Sequence, residues 1–152
     1  MADTAALAHT GLTVSDIDRS IGFYRDELGF VVVMQQEKQG GYLGAIVGYP
    51  EAHVRMAHLA LPGSAHRIEL FEYMEPRSAA RTTEPRDVGV THVCLTVDDL
   101  QGLYDRLRES GGCSFLSPPV EVDTGANRGG SALYLRDPDG ILVELFQPPP
   151  SA

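Results

Sequence analysis

The stretch His9-Thr-Gly-Leu-Thr-Val-Ser-Asp-Ile17 has a second copy later in the chain, where residues 92–100 read His-Val-Cys-Leu-Thr-Val-Asp-Asp-Leu. From position 9 to position 92 the offset is 83 residues, and His, Leu, Thr, Val and Asp coincide. A second match follows in the same order, because Ile-Glu-Leu-Phe-Glu at residues 68–72 corresponds to Val-Glu-Leu-Phe-Gln at residues 143–147. Two ordered matches indicate that one structural module has been duplicated in tandem.

Each copy of the module predicts the element order β-α-β-β-β. Residues 8–14 and 91–97 are rich in β-branched residues and predict a strand at the start of each module. We expect the following helices to begin at Ser15, within the capping box Ser15-x-x-Asp18, and at Asp98. Glycines stand where each helix should end, at Gly29 and Gly111.

Two further strands are predicted in each module, together with a linker between the modules. The strand pairs are expected at residues 53–61 with 67–73 and at residues 131–136 with 141–147. Extra residues in the first module predict a short helix at Tyr42–Val47. We therefore expect one domain over residues 1–152, composed of a first module at 7–74, a linker at 75–88 and a second module at 89–148.

The composition is that of an acidic globular protein. The 152 residues are 43% hydrophobic and 22% charged, and the net charge of −9 argues against nucleic-acid and membrane partners. Only two cysteines occur, Cys94 and Cys113, which is typical of a protein without disulfides in a reducing compartment. No run approaches the length of a membrane span and no basic leader is present, so we expect a cytoplasmic location.

Four ionisable residues lie at equivalent positions of the two modules: His9, Glu69, His92 and Glu144. Side chains alternate across a strand, so all four should point away from the helices, into a shared cleft. Two carboxylates in a semi-apolar cleft repel each other, and a divalent cation would relieve that repulsion. Two imidazoles with two carboxylates suit Zn, Ni, Co, Fe or Mn better than Ca or Mg.

The whole pattern resembles the vicinal oxygen chelate superfamily, which includes glyoxalase I, methylmalonyl-CoA epimerase, bleomycin-resistance proteins and extradiol dioxygenases. The resemblance covers about residues 7–148 and rests on the first repeated stretch, on Ser-Ile-Gly-Phe-Tyr-Arg-Asp-Glu-Leu-Gly-Phe at 20–30, on Gly-Val-Thr-His at 89–92 and on Asp-Pro-Asp-Gly-Ile-Leu-Val-Glu-Leu at 137–145. It implies an α+β fold with two tandem βαβββ modules forming a curved sheet around a metal-containing cleft. The family's ligand positions match His9, Glu69, His92 and Glu144.

The resemblance also implies an activity. The His-Glu-His-Glu pattern is similar to that of glyoxalase I and close to that of the epimerase. We therefore expect a metal-dependent lyase or isomerase that chelates adjacent oxygens of a small substrate and moves a proton through an enediolate. Glu144 and Glu69 are both candidates for the general base. The alternatives are an extradiol-type dioxygenase and a non-catalytic, ligand-sequestering protein, and by resemblance the chain should form a homodimer.

Further residues are predicted near the cleft from their strand positions. The substrate-pocket candidates are Phe71, Phe146, Cys94, Arg128 and Tyr134, with Tyr42, Tyr49 and Arg55 as weaker ones. Arg128 lies in a glycine-rich loop, where a guanidinium can bind an anion or remain solvated. His53, His58 and His66 have no duplicated partner, which argues against a ligand role for them.

Overall fold

A computed structural model describes residues 6–78 and 84–151. The chain divides into two compact units, the first extending to residue 80 and the second beginning at residue 81. The expected linker at residues 75–88 spans this division, and its residues 79–83 lie outside the described part of the chain. Across the two described ranges, no helix combines the length and apolar character needed to cross a bilayer.

The first unit contains a four-stranded sheet. Its elements are β1 (His9–Thr13), α1 (Ile17–Gly22), a π-helical turn (Phe23–Glu27), β2 (Val31–Gln39), α2 (Gly41–Val47), β3 (His53–Ala60) and β4 (Arg67–Glu75). The strand order is β1-β4-β3-β2, with β1 parallel to β4 and the other neighbours antiparallel. The predicted β-α-β-β-β order is confirmed, and α2 is the short helix expected from the extra residues.

The second unit repeats this plan with one interrupted strand. Its elements are β5 (His92–Thr96), α3 (Leu100–Ser110), β6 (Ser114–Phe115), β7 (Val120–Glu121), β8 (Ser131–Arg136) and β9 (Leu142–Gln147). The strand order is β5-β9-β8-β6, and β7 also pairs with β8. Together β6 and β7 take the place of β2, and Pro118 and Pro119 lie between them. Proline cannot donate to a strand ladder, which explains the interruption.

The core of each unit lies between the sheet and its helix. Ile68 and Leu70 of β4 are almost fully buried on the side of α1, and Val143 and Leu145 of β9 are buried on the side of α3. The helices contribute the apolar residues Ile17, Ile21 and Tyr24 in the first unit and Leu100, Leu103 and Leu107 in the second. Burying one such side chain stabilises the fold by about 1.5–3 kcal/mol. The predicted α+β class is therefore confirmed. The strand residues that alternate with these buried ones, such as Glu69 and Glu144, lie on the face of each sheet that points away from its helix.

The helix caps differ from the prediction by one residue. Asp16, not Ser15, accepts a hydrogen bond from the backbone N–H three residues ahead, at 3.0 Å. Asp99, not Asp98, does the same in the second unit at 2.9 Å. The cap side chain must reach a free N–H of the first helical turn, and these aspartates directly precede that turn. The two caps occupy duplicated positions, so the correction applies equally to both modules.

Candidate functional site

The first unit brings His9 and Glu69 together on the face opposite its helix α1. Strands β1 and β4 are parallel neighbours, and Gly11 of β1 lies opposite Glu69. The Nε2 atom of His9 is 3.3 Å from Oε2 of Glu69, and the side chains are 46% and 9% exposed. An accessible imidazole therefore lies beside a largely buried carboxylate.

The second unit brings His92 and Glu144 together in the same way. Strands β5 and β9 are parallel neighbours, with Cys94 opposite Glu144. The Nε2 atom of His92 is 3.0 Å from Oε2 of Glu144, and the side chains are 42% and 21% exposed. Each module thus supplies one imidazole nitrogen and one carboxylate oxygen on the face predicted from strand parity.

Each glutamate is also contacted from its antiparallel neighbour. His58 of β3 lies opposite Glu69, and its Nε2 atom is hydrogen-bonded to Oε1 of that carboxylate. Tyr134 of β8 lies opposite Glu144 and donates to Oε2 at 3.1 Å. His58 and Tyr134 therefore occupy equivalent positions, although their residue types differ.

Sequence comparison between the modules misses this relation because the hairpins differ by one residue. His58 precedes Glu69 by 11 positions, whereas Tyr134 precedes Glu144 by 10. A comparison of the two modules at one fixed offset therefore does not align His58 with Tyr134. Counting the strand register outward from each glutamate, through its hairpin, would have identified His58 as a residue beside the site.

The donors around Glu144 are held in their protonated forms. Burial and the neighbouring Glu144 carboxylate raise the pKa of Tyr134 to about 12. The same two causes raise the pKa of the Cys94 thiol to about 11. Both groups therefore act as hydrogen-bond donors at neutral pH, and a thiol in this state is a poor nucleophile.

The other predicted pocket residues have different surroundings. Phe71 stacks on Tyr73 with ring centroids 6.2 Å apart, and both pack against a cluster around α2 that contains Leu43, Ala52, Val54 and Met56. Phe146 lies beside Gly130, where an added Cβ would be 3.3 Å from its ring. Arg128 is exposed in a turn, where its backbone N–H donates to the carbonyl oxygen of Gly125 at 3.3 Å.

Arg55, one of the weaker pocket candidates, does not lie on the face of the sheet that carries His9 and Glu69. It lies opposite Glu72 and pairs with that carboxylate at 3.2 Å. Its other terminal nitrogen contacts both oxygens of Asp18 at 2.9 Å. Glu72 also accepts a hydrogen bond from the backbone N–H of Ile17, so the guanidinium belongs to the helix side of the sheet. Its parity with buried Ala57, two residues on, explains this placement.

A cavity of about 520 Å³ lies elsewhere in the first unit. Its walls include Thr13, Tyr49, Tyr73 and Arg77. His9 and Glu69 are not among its lining residues, so the His–Glu pair opens onto a different surface.

The donor chemistry of the two pairs suits a divalent transition metal. Imidazole nitrogen and carboxylate oxygen are the ligands that Zn, Ni, Co, Fe and Mn accept. Within residues 6–78 and 84–151, no group of three or more His, Cys, Asp or Glu side chains is arranged as a metal site. The closest His–Glu contacts across parallel strands are the two pairs described above.

The duplicated β-α-β-β-β units, each with a His–Glu pair, define a class of α+β proteins built from two tandem modules. The model of the Glyoxalase/Bleomycin resistance protein/Dioxygenase superfamily matches residues 6–145, and the chain belongs to this superfamily. A glyoxalase family protein from Bacillus cereus has the same fold, with a TM-score of 0.84, 25% identity and 99% of both chains covered.

Curated relatives carry the names of two enzyme activities. A lactoylglutathione lyase from Haemophilus influenzae is 30% identical over 144 residues, covering 93% of this chain and 91% of the relative. A 2-epi-5-epi-valiolone epimerase from an Actinomyces species is 27% identical over 150 residues, covering 97% of this chain and 81% of the relative. The predicted family is thereby confirmed, and its members include enzymes.

Proposed function

We propose that this chain is a divalent-metal-dependent lyase or isomerase whose small substrate carries two adjacent oxygens. The observation that carries the proposal is the His–Glu pair present in each unit, His9 with Glu69 and His92 with Glu144. By the family resemblance, His9, Glu69, His92 and Glu144 would make up a four-ligand set without thiolate, unlike the cysteine-containing closed sites of structural zinc.

The bound cation would act as a Lewis acid and stabilise negative charge that develops on the substrate oxygens. The residues of the chain supply the proton transfer. A carboxylate of Glu69 or Glu144 takes the proton from the carbon beside those oxygens and returns it to the neighbouring position or the opposite face. Tyr134, which donates to Glu144 at 3.1 Å, keeps that carboxylate in place.

The names of the relatives supply the reactions to test. A lactoylglutathione lyase and a 2-epi-5-epi-valiolone epimerase act on different substrates. Both fit a carboxylate that moves a proton next to a carbonyl. We therefore expect this chain to exchange a substrate proton with solvent, whichever of the two substrate classes it accepts.

Metal analysis of protein purified without chelator tests the first part of the proposal. We expect close to one divalent ion per site, since a four-ligand site of this kind holds transition metals tightly. His9→Ala and His92→Ala should each lower the metal content. His53→Gln is the control and should not, because His53 of β3 is hydrogen-bonded to Glu37 of β2, away from both His–Glu pairs. A wild-type content below about 0.2 ion per chain would refute metal dependence.

Deuterium incorporation tests the second part. Wild-type protein in D₂O should place deuterium on the carbon of either candidate substrate, as followed by proton NMR. Replacing the acting base by Gln should slow this exchange by about 10²- to 10⁴-fold, so Glu69→Gln and Glu144→Gln together identify it. Oxygen consumption with a catechol would instead indicate the dioxygenase alternative. Tight binding of substrate without any exchange would indicate the sequestering alternative.

A further inference from the structure

His58 makes a largely buried contact to Glu69, one of the candidate metal-binding carboxylates. Its side chain is 19% exposed and that of Glu69 is 9% exposed. Strand β3 places it directly across from Glu69, on the same face as His9. A charge-assisted hydrogen bond that is shielded from water in this way is stronger than one on the surface.

The two histidines approach different oxygens of Glu69. His58 is bonded to Oε1, and His9 lies 3.3 Å from Oε2. Their rings are 6.0 Å apart and tilted by 39°, so they do not stack. Oε1 is thus taken by a protein donor, while Oε2 faces the second candidate ligand.

These three residues do not themselves form a metal site. In the part of the chain that the structure describes, no three such side chains have that arrangement. A hydrogen bond to the oxygen that does not bind metal orients a ligating carboxylate, and partners of this kind strongly affect metal affinity. His58 lies where such a hydrogen-bond partner of Glu69 would lie, at Oε1 of the carboxylate.

The second unit arranges the contacts of its glutamate differently. Tyr134 and His92 both approach Oε2 of Glu144, at 3.1 and 3.0 Å, and the Tyr134 hydroxyl lies 3.2 Å from His92. The equivalent strand positions, His58 and Tyr134, therefore carry different hydrogen-bond patterns.

We propose that His58 is a positioning residue for Glu69: its Nε2–H donates to Oε1 and so leaves Oε2 to bind the cation together with His9. This inference rests on the proposed metal dependence. It goes beyond it by giving a role to a residue outside the four-ligand set. It requires His58 to be the Nε2-protonated tautomer and to remain unbound to metal.

Calorimetric titration of chelator-treated protein with Co²⁺ is the first test. His58→Leu removes the donor and should weaken Co²⁺ binding by about 10- to 100-fold. His58→Gln retains an N–H donor and should restore most of that affinity. The matched control is His53→Gln on the same strand, which should bind Co²⁺ as the wild type does.

The outcomes separate this inference from the proposed function. If wild-type protein binds no Co²⁺, the proposed metal dependence fails and the role of His58 fails with it. If wild type binds Co²⁺ and His58→Leu binds equally well, only the positioning role is overturned. Equal weakening by the Leu and Gln variants would also overturn it, because a hydrogen bond would then not be the property that matters.

Nitrogen NMR of the histidine rings tests the same inference in the unaltered protein, in case His58→Leu does not fold. The Nε2 atom of His58 should carry a proton both before and after Zn²⁺ is added, while the resonance of His9 should shift to that of a metal-bound nitrogen. Observation of a Zn²⁺-bound Nε2, or of a proton only on Nδ1 of His58, would overturn the proposal.

Discussion

At the scale of single residues, the environment of Glu144 decides the chemistry of its neighbours. Cys94 and Tyr134 are the cross-strand partners of this glutamate on its two sides. Although Cys94 as a residue is exposed, desolvation around the thiol and the phenol and the nearby carboxylate both disfavour loss of their protons, which is why their pKa values rise. The cysteine is therefore best understood as a hydrogen-bonding component of the site.

We expect Cys94 to react slowly with iodoacetamide in metal-free protein. With a pKa of about 11, only about one thiol in a thousand is ionised at pH 8. Because burial is the larger cause and the Glu144 charge the second, Glu144→Gln should accelerate alkylation without restoring the rate of a free thiol. The measurement uses a Cys113→Ser background, with Glu109→Gln on the exposed side of α3 as control. An unchanged rate in Glu144→Gln would contradict the assigned cause.

The sequence predicts residues of the candidate site where duplication and strand parity both apply. His9, Glu69, His92 and Glu144 follow from the repeat, and each His–Glu pair meets as parallel neighbouring strands require. The repeat disfavours His58 because it has no duplicated partner; in the structure the equivalent strand position carries Tyr134, and the hairpin of the first module is one residue longer. Contacts across a hairpin depend on register, which a comparison at constant offset does not contain.

At the scale of elements, the helices show how local hydrogen bonding determines a boundary. α1 and α3 begin directly after Asp16 and Asp99, and each aspartate satisfies an N–H of the first turn. A second residue able to cap a helix, Ser15 or Asp98, stands one position earlier in each module, so the sequence alone allows two helix starts. The structure uses the later residue in both modules, because its side chain reaches the N–H three residues ahead.

Removal of the Asp99 cap provides a test of this boundary. Asp99→Ala should lower the free energy of unfolding by about 0.5–2 kcal/mol, because it leaves the N–H of Gly102 without its partner. Asn at the same position should retain most of the stability. Asp98→Ala, at the cap expected from sequence, should change it by less than about 0.5 kcal/mol. Urea denaturation measures all three, and a larger loss at Asp98 would show that the helix starts earlier.

The strands were predictable to different degrees. Six strands match the predicted runs of β-forming residues, because turn residues mark where each run ends: β1, β3, β4, β5, β8 and β9. β6 and β7 contain two residues each, too few to produce a periodic pattern. Their pairing with β8 comes from tertiary structure, which overrides weak local preference.

At the scale of the whole molecule, duplication produces two compact units with the same topology and unequal details. The first carries α2 and an unbroken nine-residue β2, whereas the second has two short strands in its place. β2 is an outer strand of its sheet and exposes Val31 and Val33 by 49% and 48%. Apolar residues on an outer strand are a surface at which two chains can associate.

We expect the protein to be a homodimer in solution, as its family resemblance implies. Light scattering coupled to size exclusion should give about twice the chain mass of 16.4 kDa. The measurement should be repeated over a range of protein concentrations, because association depends on concentration. A mass of 16.4 kDa at every concentration would contradict this expectation.

The unequal hydrogen bonding of the two glutamates has a spectroscopic consequence. Histidines contact both oxygens of Glu69, whereas Tyr134 and His92 approach a single oxygen of Glu144. Donation to one oxygen makes the two C–O bonds of a carboxylate unequal and widens the separation between its symmetric and antisymmetric stretching frequencies. Isotope-edited infrared spectra should therefore resolve the two carboxylates, so that the surroundings of each can be followed separately within the same molecule.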